Sequence, residues 1–140
     1  MCGFAGKENT NHIELNSNIE LRMKAALKSL HPRGPDHQGI YTDEYSYLVH
    51  ARLSIIDTSS NGSQPMNKYN KTIVYNGEIY NYKELKIILK KNGYKFFSNS
   101  DTEVLLEAWD MCGEEALNYI NGMFIFAIWD KLKKEQTLVR

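Results

Sequence analysis

The chain has 140 residues, 42 % of them hydrophobic and 24 % charged, which is enough for one domain with a real core and too little for two ordinary catalytic domains. Lys plus Arg number 17 and Asp plus Glu number 17, so no long-range field draws the chain toward nucleic acid or an anionic membrane, and a small polar substrate suits it better. The longest apolar stretch, Met123 to Trp129, is far too short to span a bilayer, and no basic segment followed by an apolar run opens the chain, so the expected compartment is the cytoplasm.

In chain order, the small apolar residues from Cys2 to Gly6 predict a short buried strand at the terminus. Ile19, Met23, Ala26, Leu27 and Leu30 then fall on one face of a helix over 19–30, with Asn18 as its expected cap. The Pro and Gly cluster from His31 to Gly39 predicts irregular chain, Tyr45 to Ile56 a β-rich segment, and Thr58 to Asn70 a loop. Thr72 to Tyr75 reads as a strand, and Asn76-Gly77 after it, a pair that tolerates positive φ, predicts a tight turn.

Asn81 with Glu84 has the form of a capping box ahead of a helix that turns Leu85, Ile88 and Leu89 inward and closes at Gly93. Ser100 with Glu103 repeats the pattern for a second helix, with Val104, Leu105, Ala108 and Trp109 inward and Gly113 at its end. Met123 to Trp129 and Gln136 to Val139 predict two strands joined by an Asp-Lys turn. Strands at both ends, helices between them and short connections favour an antiparallel α+β architecture. The sequence stops at Arg140 directly after a strand pattern, and the expectation is a piece of a longer protein.

The chemistry starts with Cys2. Methionine before a small residue is normally trimmed, which would leave Cys2 with both a thiol and a free α-amine. These groups have ordinary pKa values within about one unit of each other, so the amine can take the thiol proton and no histidine is required. Arg52 offers a guanidinium fork suited to a carboxylate, or it is a solvent-facing strand residue. Asn76 and the Gly77 N–H could serve a developing oxyanion, or form a hairpin turn. Asp101 could pair with an ammonium, or only favour the start of a helix. Arg33-Gly34-Pro35-Asp36 is a binding loop or an ordinary turn. Cys2 and Cys112 share no paired spacing, and His12, His31, His37 and His50 include no helical two-His pair, so neither a disulfide framework nor a metal is expected.

Taken together, MCGFAG at the start, RGPD at 33–36, ARLSIID at 51–57, QPM at 64–66, YNGEIYN at 75–81, SDTEV at 100–104 and GMFIFAIWD at 122–130 resemble the N-terminal glutaminase domain of glutamine-dependent asparagine synthetases. The motifs stand in family order over essentially the whole chain, and their joint occurrence is far more specific than any one of them. One departure is local: Pro32 directly precedes the RGPD loop, where family members often carry His, and His31 is displaced by one.

The resemblance implies a class II amidotransferase of the N-terminal nucleophile hydrolase fold, a four-layer αββα sandwich of antiparallel sheets between helices. It implies Cys2 as nucleophile and Asn76 with Gly77 as the oxyanion site. Arg52, with the backbone near Leu53 and Ile55, would hold the α-carboxylate of L-glutamine. Asp101, with the backbone near Gly77 and Glu78, would hold the α-ammonium. The implied glutaminase half needs no metal or organic cofactor. ATP and Mg are expected only for a C-terminal synthetase domain, whose Ser-Gly-Gly phosphate loop this sequence lacks. The ammonia acceptor, aspartate or another, stays open, as does oligomeric state, a homodimer included. A chain that keeps Met1 would instead be a silent glutamine-binding domain.

Overall fold

The structure, a computed structural model, describes residues 2–8 and 17–140. Met1 and His12 lie outside these residues. Among the described residues, seven strands and three α-helices run in the order β1 (Gly3–Glu8), α1 (Ser17–Leu30), β2 (His37–Thr42), β3 (Ser46–Arg52), β4 (Met66–Lys68), β5 (Lys71–Ile79), α2 (Tyr82–Lys91), α3 (Asp101–Cys112), β6 (Gly122–Asp130) and β7 (Glu135–Val139). Every pairing is antiparallel, in a three-stranded sheet of order β1-β3-β2 and a four-stranded sheet of order β4-β5-β6-β7.

The period-two alternation of the central strands sorts their side chains into layers. On β3, Val49 turns outward to Met23 and Leu27 of α1, while Leu48 turns inward against Val74, Ala127 and Trp129 of the other sheet. On β5 and β6, Ile73, Tyr75, Phe126 and Ile128 point away from that seam toward Leu89 of α2 and Val104, Leu105 and Ala108 of α3. The result is helix, sheet, sheet, helix, the expected four layers. Asp101 through Trp109 are all buried, because α3 lies on β4 and β5 and is itself covered by α2. No helix among the described residues is long and apolar enough to cross a membrane.

One end of the seam is sealed by Asp43, in the β2–β3 turn. Its carboxylate accepts from Tyr41 Oη at 2.7 Å and Trp129 Nε1 at 2.6 Å, and from the Tyr45 and Ser46 N–H groups. The opposite end, where β1 begins, β3 finishes and β5 passes Asn76, is open.

Several expectations are corrected. Asn18 is the second residue of α1, not its cap. The 31–39 segment holds a 3-10 turn, His31–Arg33, and the start of β2, and the 58–70 loop contains β4. The β-rich segment ends at Arg52 and leaves 53–56 as loop. Asn76-Gly77 is no turn: β5 runs straight through it, pairing Asn76 with Ile125 and Gly77 with Phe124. A Cβ at Gly77 would run into the Met123 carbonyl and Phe124, so glycine is needed here for close strand approach rather than for positive φ. Asn81 does occupy the N-cap position of α2, but its side chain bonds across to Tyr119 O and Asn121 N and makes no cap bond. On α2, Tyr82 and Leu85 join Leu89 in the core and Ile88 is half exposed. The α3 cap is as expected, with Ser100 Oγ accepting from Glu103 N at 3.2 Å, and Gly113 ends the helix at φ 58°.

Candidate functional site

At the open end lies a cavity of about 190 Å³. Cys2, Arg52, Leu53 and Ile55 line it from the β1 and β3 side, and Asn76, Gly77, Glu78 and Asp101 from the β5 and α3 side. All eight residues singled out in the sequence therefore meet in one place, although up to 99 positions separate Cys2 from Asp101.

Cys2 is set by backbone contacts. The Leu53 N–H donates to its sulfur at 3.3 Å, and the thiol approaches the Leu53 carbonyl at 3.6 Å. The peptide of Leu53 thus serves the sulfur first. The RGPD segment braces this arrangement from behind: Arg33 Nε donates to Cys2 O at 3.2 Å, Asp36 N–H to Arg52 O at 3.0 Å, and Ser54 N–H to Asp36 Oδ2 at 2.7 Å. Gly34 lies so close to the Ala51–Arg52 peptide that a Cβ there would overlap it. The loop thus braces the site, a role that neither the binding-loop nor the ordinary-turn reading named. Pro32 sits in the first turn of the 3-10 segment and His31 faces Gln38 Nε2 at 3.4 Å.

Arg52 is buried, which excludes the solvent-facing alternative. Nη1 donates to Ser59 O at 2.8 Å and Nη2 donates to Asp57 O, so the 57–62 loop grips the guanidinium from one side. A cation can be kept here because carbonyl dipoles solvate it.

Asp101 opens α3. Its Oδ2 accepts from Tyr75 Oη at 2.7 Å and from Ile79 N–H at 3.1 Å. Burial pushes its carboxyl above the usual carboxylate range, with the Tyr75 and Ile79 hydrogen bonds opposing the rise. Burial together with the nearby Asp101 charge pushes the Tyr75 phenol well up, so the phenol acts as a donor. A buried carboxylate that gains a cationic partner is relieved of that penalty.

Beneath α3 a second polar group holds the wall. Glu103, fully buried, accepts from Phe97 N, Ser98 N and Ser98 Oγ and pairs with Lys68 Nζ at 2.7 Å, while Lys68 also pairs with Glu107. Gln64 links the loop before β4 to the site, donating to Thr102 Oγ1 at 3.2 Å and accepting from Tyr75 N–H at 2.6 Å. Tyr75, Gln64, Thr102 and Asp57 line the cavity too. Sequence reasoning assigned them no role, although each stands inside one of the seven motif segments. Among the described residues, no group of three His, Cys, Asp or Glu side chains is placed to hold a metal ion.

A family model described as a glutamine amidotransferase domain matches residues 1–140. Among curated relatives, glutamine-hydrolysing asparagine synthetase 1 of Bacillus subtilis is 43 % identical over 133 residues, covering 94 % of this chain and 21 % of that protein. The Zea mays enzyme of that name is 38 % identical over 136 residues, covering 96 % and 22 %. Asparagine synthetase B of Escherichia coli is 41 % identical over 119 residues, covering 82 % and 21 %. The chain spans about a fifth of the length of these relatives. Among solved structures, the glutamine phosphoribosylpyrophosphate amidotransferase of B. subtilis superposes with a TM-score of 0.65 at 20 % identity, over 93 % of this chain and 35 % of that one. That likeness speaks to fold and agrees with an α+β N-terminal nucleophile hydrolase architecture. With the family model matched along its whole length, the chain belongs to the glutamine amidotransferase domain family.

Proposed function

We propose that this chain hydrolyses L-glutamine to glutamate and ammonia through a thioester on Cys2, and that the ammonia passes to an ATP-dependent synthetase domain of the asparagine synthetase type. The observation that carries the reading is the single cavity in which a thiol, a buried guanidinium, a buried carboxylate and the Asn76-Gly77 pair converge. Arg52 takes the substrate α-carboxylate and Asp101 its α-ammonium. These two charges fix the amino-acid end and direct the side-chain amide toward Cys2.

With Met1 removed, the α-amine of Cys2 accepts the thiol proton and Sγ adds to the amide carbon, placing negative charge on the amide oxygen. The Asn76 side-chain amide and the Gly77 N–H receive that charge. The C–N bond then breaks, the nitrogen leaves as ammonia with the proton held by the amine, and a γ-glutamyl thioester remains. Water adds to the thioester, the C–S bond breaks, and glutamate leaves with the thiol restored. Strand pairing holds Asn76 and Gly77 in register, so the donors are fixed before reaction begins. ATP and Mg belong to the synthetase partner, which sets the acceptor, aspartate or another, and the setting is the cytoplasm.

The test combines intact mass with labelling by a diazo-ketone analogue of glutamine and location of the modified residue. Loss of Met1 and labelling at Cys2 alone are expected, and Cys2→Ala is expected to abolish glutamine hydrolysis while leaving the fold nearly intact. Hydrolysis by Cys2→Ala at the wild-type rate would end the proposal. Retained Met1 without labelling would replace it with a silent glutamine-binding domain.

A further inference from the structure

Arg52 closes β3 and Asp101 opens α3, and the two elements share no ladder of hydrogen bonds. The distance between these charged poles must nonetheless be held if both are to grip one amino acid. A carboxylate that the proposed chemistry does not use lies between them. Asp57 Oδ1 accepts from Ser59 N–H at 2.9 Å and from Ser59 Oγ at 2.6 Å, which folds the loop so that the carbonyls of Asp57 and Ser59 both receive the Arg52 guanidinium. Its other oxygen accepts from Asn99 N–H at 2.7 Å, in the segment leading into the Ser100 cap and Asp101. A weaker tie runs alongside, from Asn61 Nδ2 to Phe97 O at 3.0 Å.

We propose that Asp57 is a positioning residue: one buried carboxylate sets the separation of the Arg52 and Asp101 poles, and so the demand for a substrate carrying α-carboxylate and α-ammonium on the same carbon. The inference rests on the reading of this cavity as a glutamine site. The hydrogen bonds from Ser59, and then from Asn99, hold the Asp57 carboxyl below the usual range, so at neutral pH it is an acceptor only and fits three donors without conflict. An amide in its place presents an NH₂ to at least one of those donors. The tie across the pocket is then lost, while Cys2 and its Leu53 contacts are untouched.

Asp57→Asn separates this role from general scaffolding. In the purified chain, kcat/KM for glutamine is expected to fall about tenfold or more, through KM, as befits loss of a charge-assisted hydrogen bond. Inactivation at Cys2 by the diazo-ketone, which carries both poles, falls in parallel. Alkylation by iodoacetamide, which carries neither, is unchanged. Glutaramate, which lacks the α-ammonium, is hydrolysed equally by variant and wild type. Ser59→Ala, which keeps the Asn99 tie, gives a smaller KM increase in the same direction and decides the matter if Asp57→Asn does not fold. An unchanged KM in the folded Asp57→Asn protein, or parallel loss of iodoacetamide and diazo-ketone reactivity, overturns the assignment. A wild-type chain that neither hydrolyses glutamine nor takes the diazo-ketone removes the glutamine site itself, an outcome distinct from an active wild type with an indifferent variant.

Discussion

The two ends of the inter-sheet seam use similar residue types toward opposite results. At the sealed end, the Asp43 carboxylate is met by Tyr41, Tyr45, Ser46 and Trp129, all from the chain itself. At the open end, Asp101 takes donors from Tyr75 and Ile79 on one oxygen and fronts a cavity, with Arg52 across from it. A carboxylate surrounded by internal donors acts as a clamp. One that stands beside a cavity, with hydrogen bonds that do not offset its burial, keeps a raised pKa and is ready for a ligand. The working end is thus distinguished by a carboxylate whose burial its hydrogen bonds do not offset, held in place by fully paired groups one layer behind it.

The most damaging way to test this is to remove a fully paired group behind the open end. Glu103→Ala removes one of the two carboxylates that Lys68 pairs with, leaving Glu107, and frees three donors in the 97–98 segment, and it is expected to cost about 3–5 kcal/mol, measured by urea unfolding at neutral pH. A loss below ~1 kcal/mol would show that the Lys68 cluster does not support α3.

Between the ends stands His50, buried, with Nε2 3.1 Å from Tyr75 O. Burial pushes it down from 6.5 to about 4, with Arg52 and His37 charges adding to the fall and the Tyr75 hydrogen bond opposing it. The folded protein therefore binds this proton more weakly than the unfolded chain. The stability owed to a neutral ring is complete above 6.5 and is lost as pH falls toward about 4, on the order of 3 kcal/mol over the window. Unfolding free energies at both ends of the window should show His50→Gln with a shallower acid slope than wild type. Equal slopes would assign acid sensitivity to other groups.

Asp43→Ala breaks the sealed end. Loss of a charged acceptor for four donors is expected to destabilise by about 1.5–3 kcal/mol while KM for glutamine per folded molecule stays put. A raised KM would mean that the seam transmits strain along its length. The smallest stability change is expected at the open end. Asp101→Asn keeps an acceptor for Tyr75 and Ile79 and removes a buried charge, so stability shifts by less than ~1 kcal/mol, while glutamine binding weakens by about 1.5–3 kcal/mol. Calorimetry showing unchanged affinity would leave Asp101 as a helix-start residue alone.

Much of this was legible in the residues. The helical face of Met23 and Leu27, the Ser100 cap and the apolar run of β6 follow from periodicity and local capping chemistry, which need only near neighbours. The failures share a cause, which is that a distant partner outvoted local preference. Asn76-Gly77 has turn chemistry, yet the whole length of β6 lies alongside and draws the pair into a strand. Asn81 has cap chemistry, yet Tyr119 and Asn121 claim its side chain. β2 and β4 are short edge strands whose existence depends on β3 and β5. The site was legible residue by residue through motif resemblance, whereas Asp57, Gln64 and Tyr75 stayed silent because their parts lie in contacts between segments remote in sequence.

The strand at Asn76-Gly77 also governs how the protein ages. Asparagine followed by glycine is the pair most prone to cyclise through attack of the following backbone nitrogen on the side-chain carbonyl, ending in aspartate or its β-linked isomer. That closure needs a folded-back backbone, and the extended pairing of Asn76 with Ile125 and Gly77 with Phe124 withholds it. Any excursion that peels β5 from β6 exposes a neutral amide to irreversible conversion into an acid at the place proposed to receive negative charge. The useful lifetime of the site is thereby tied to the integrity of one strand pair.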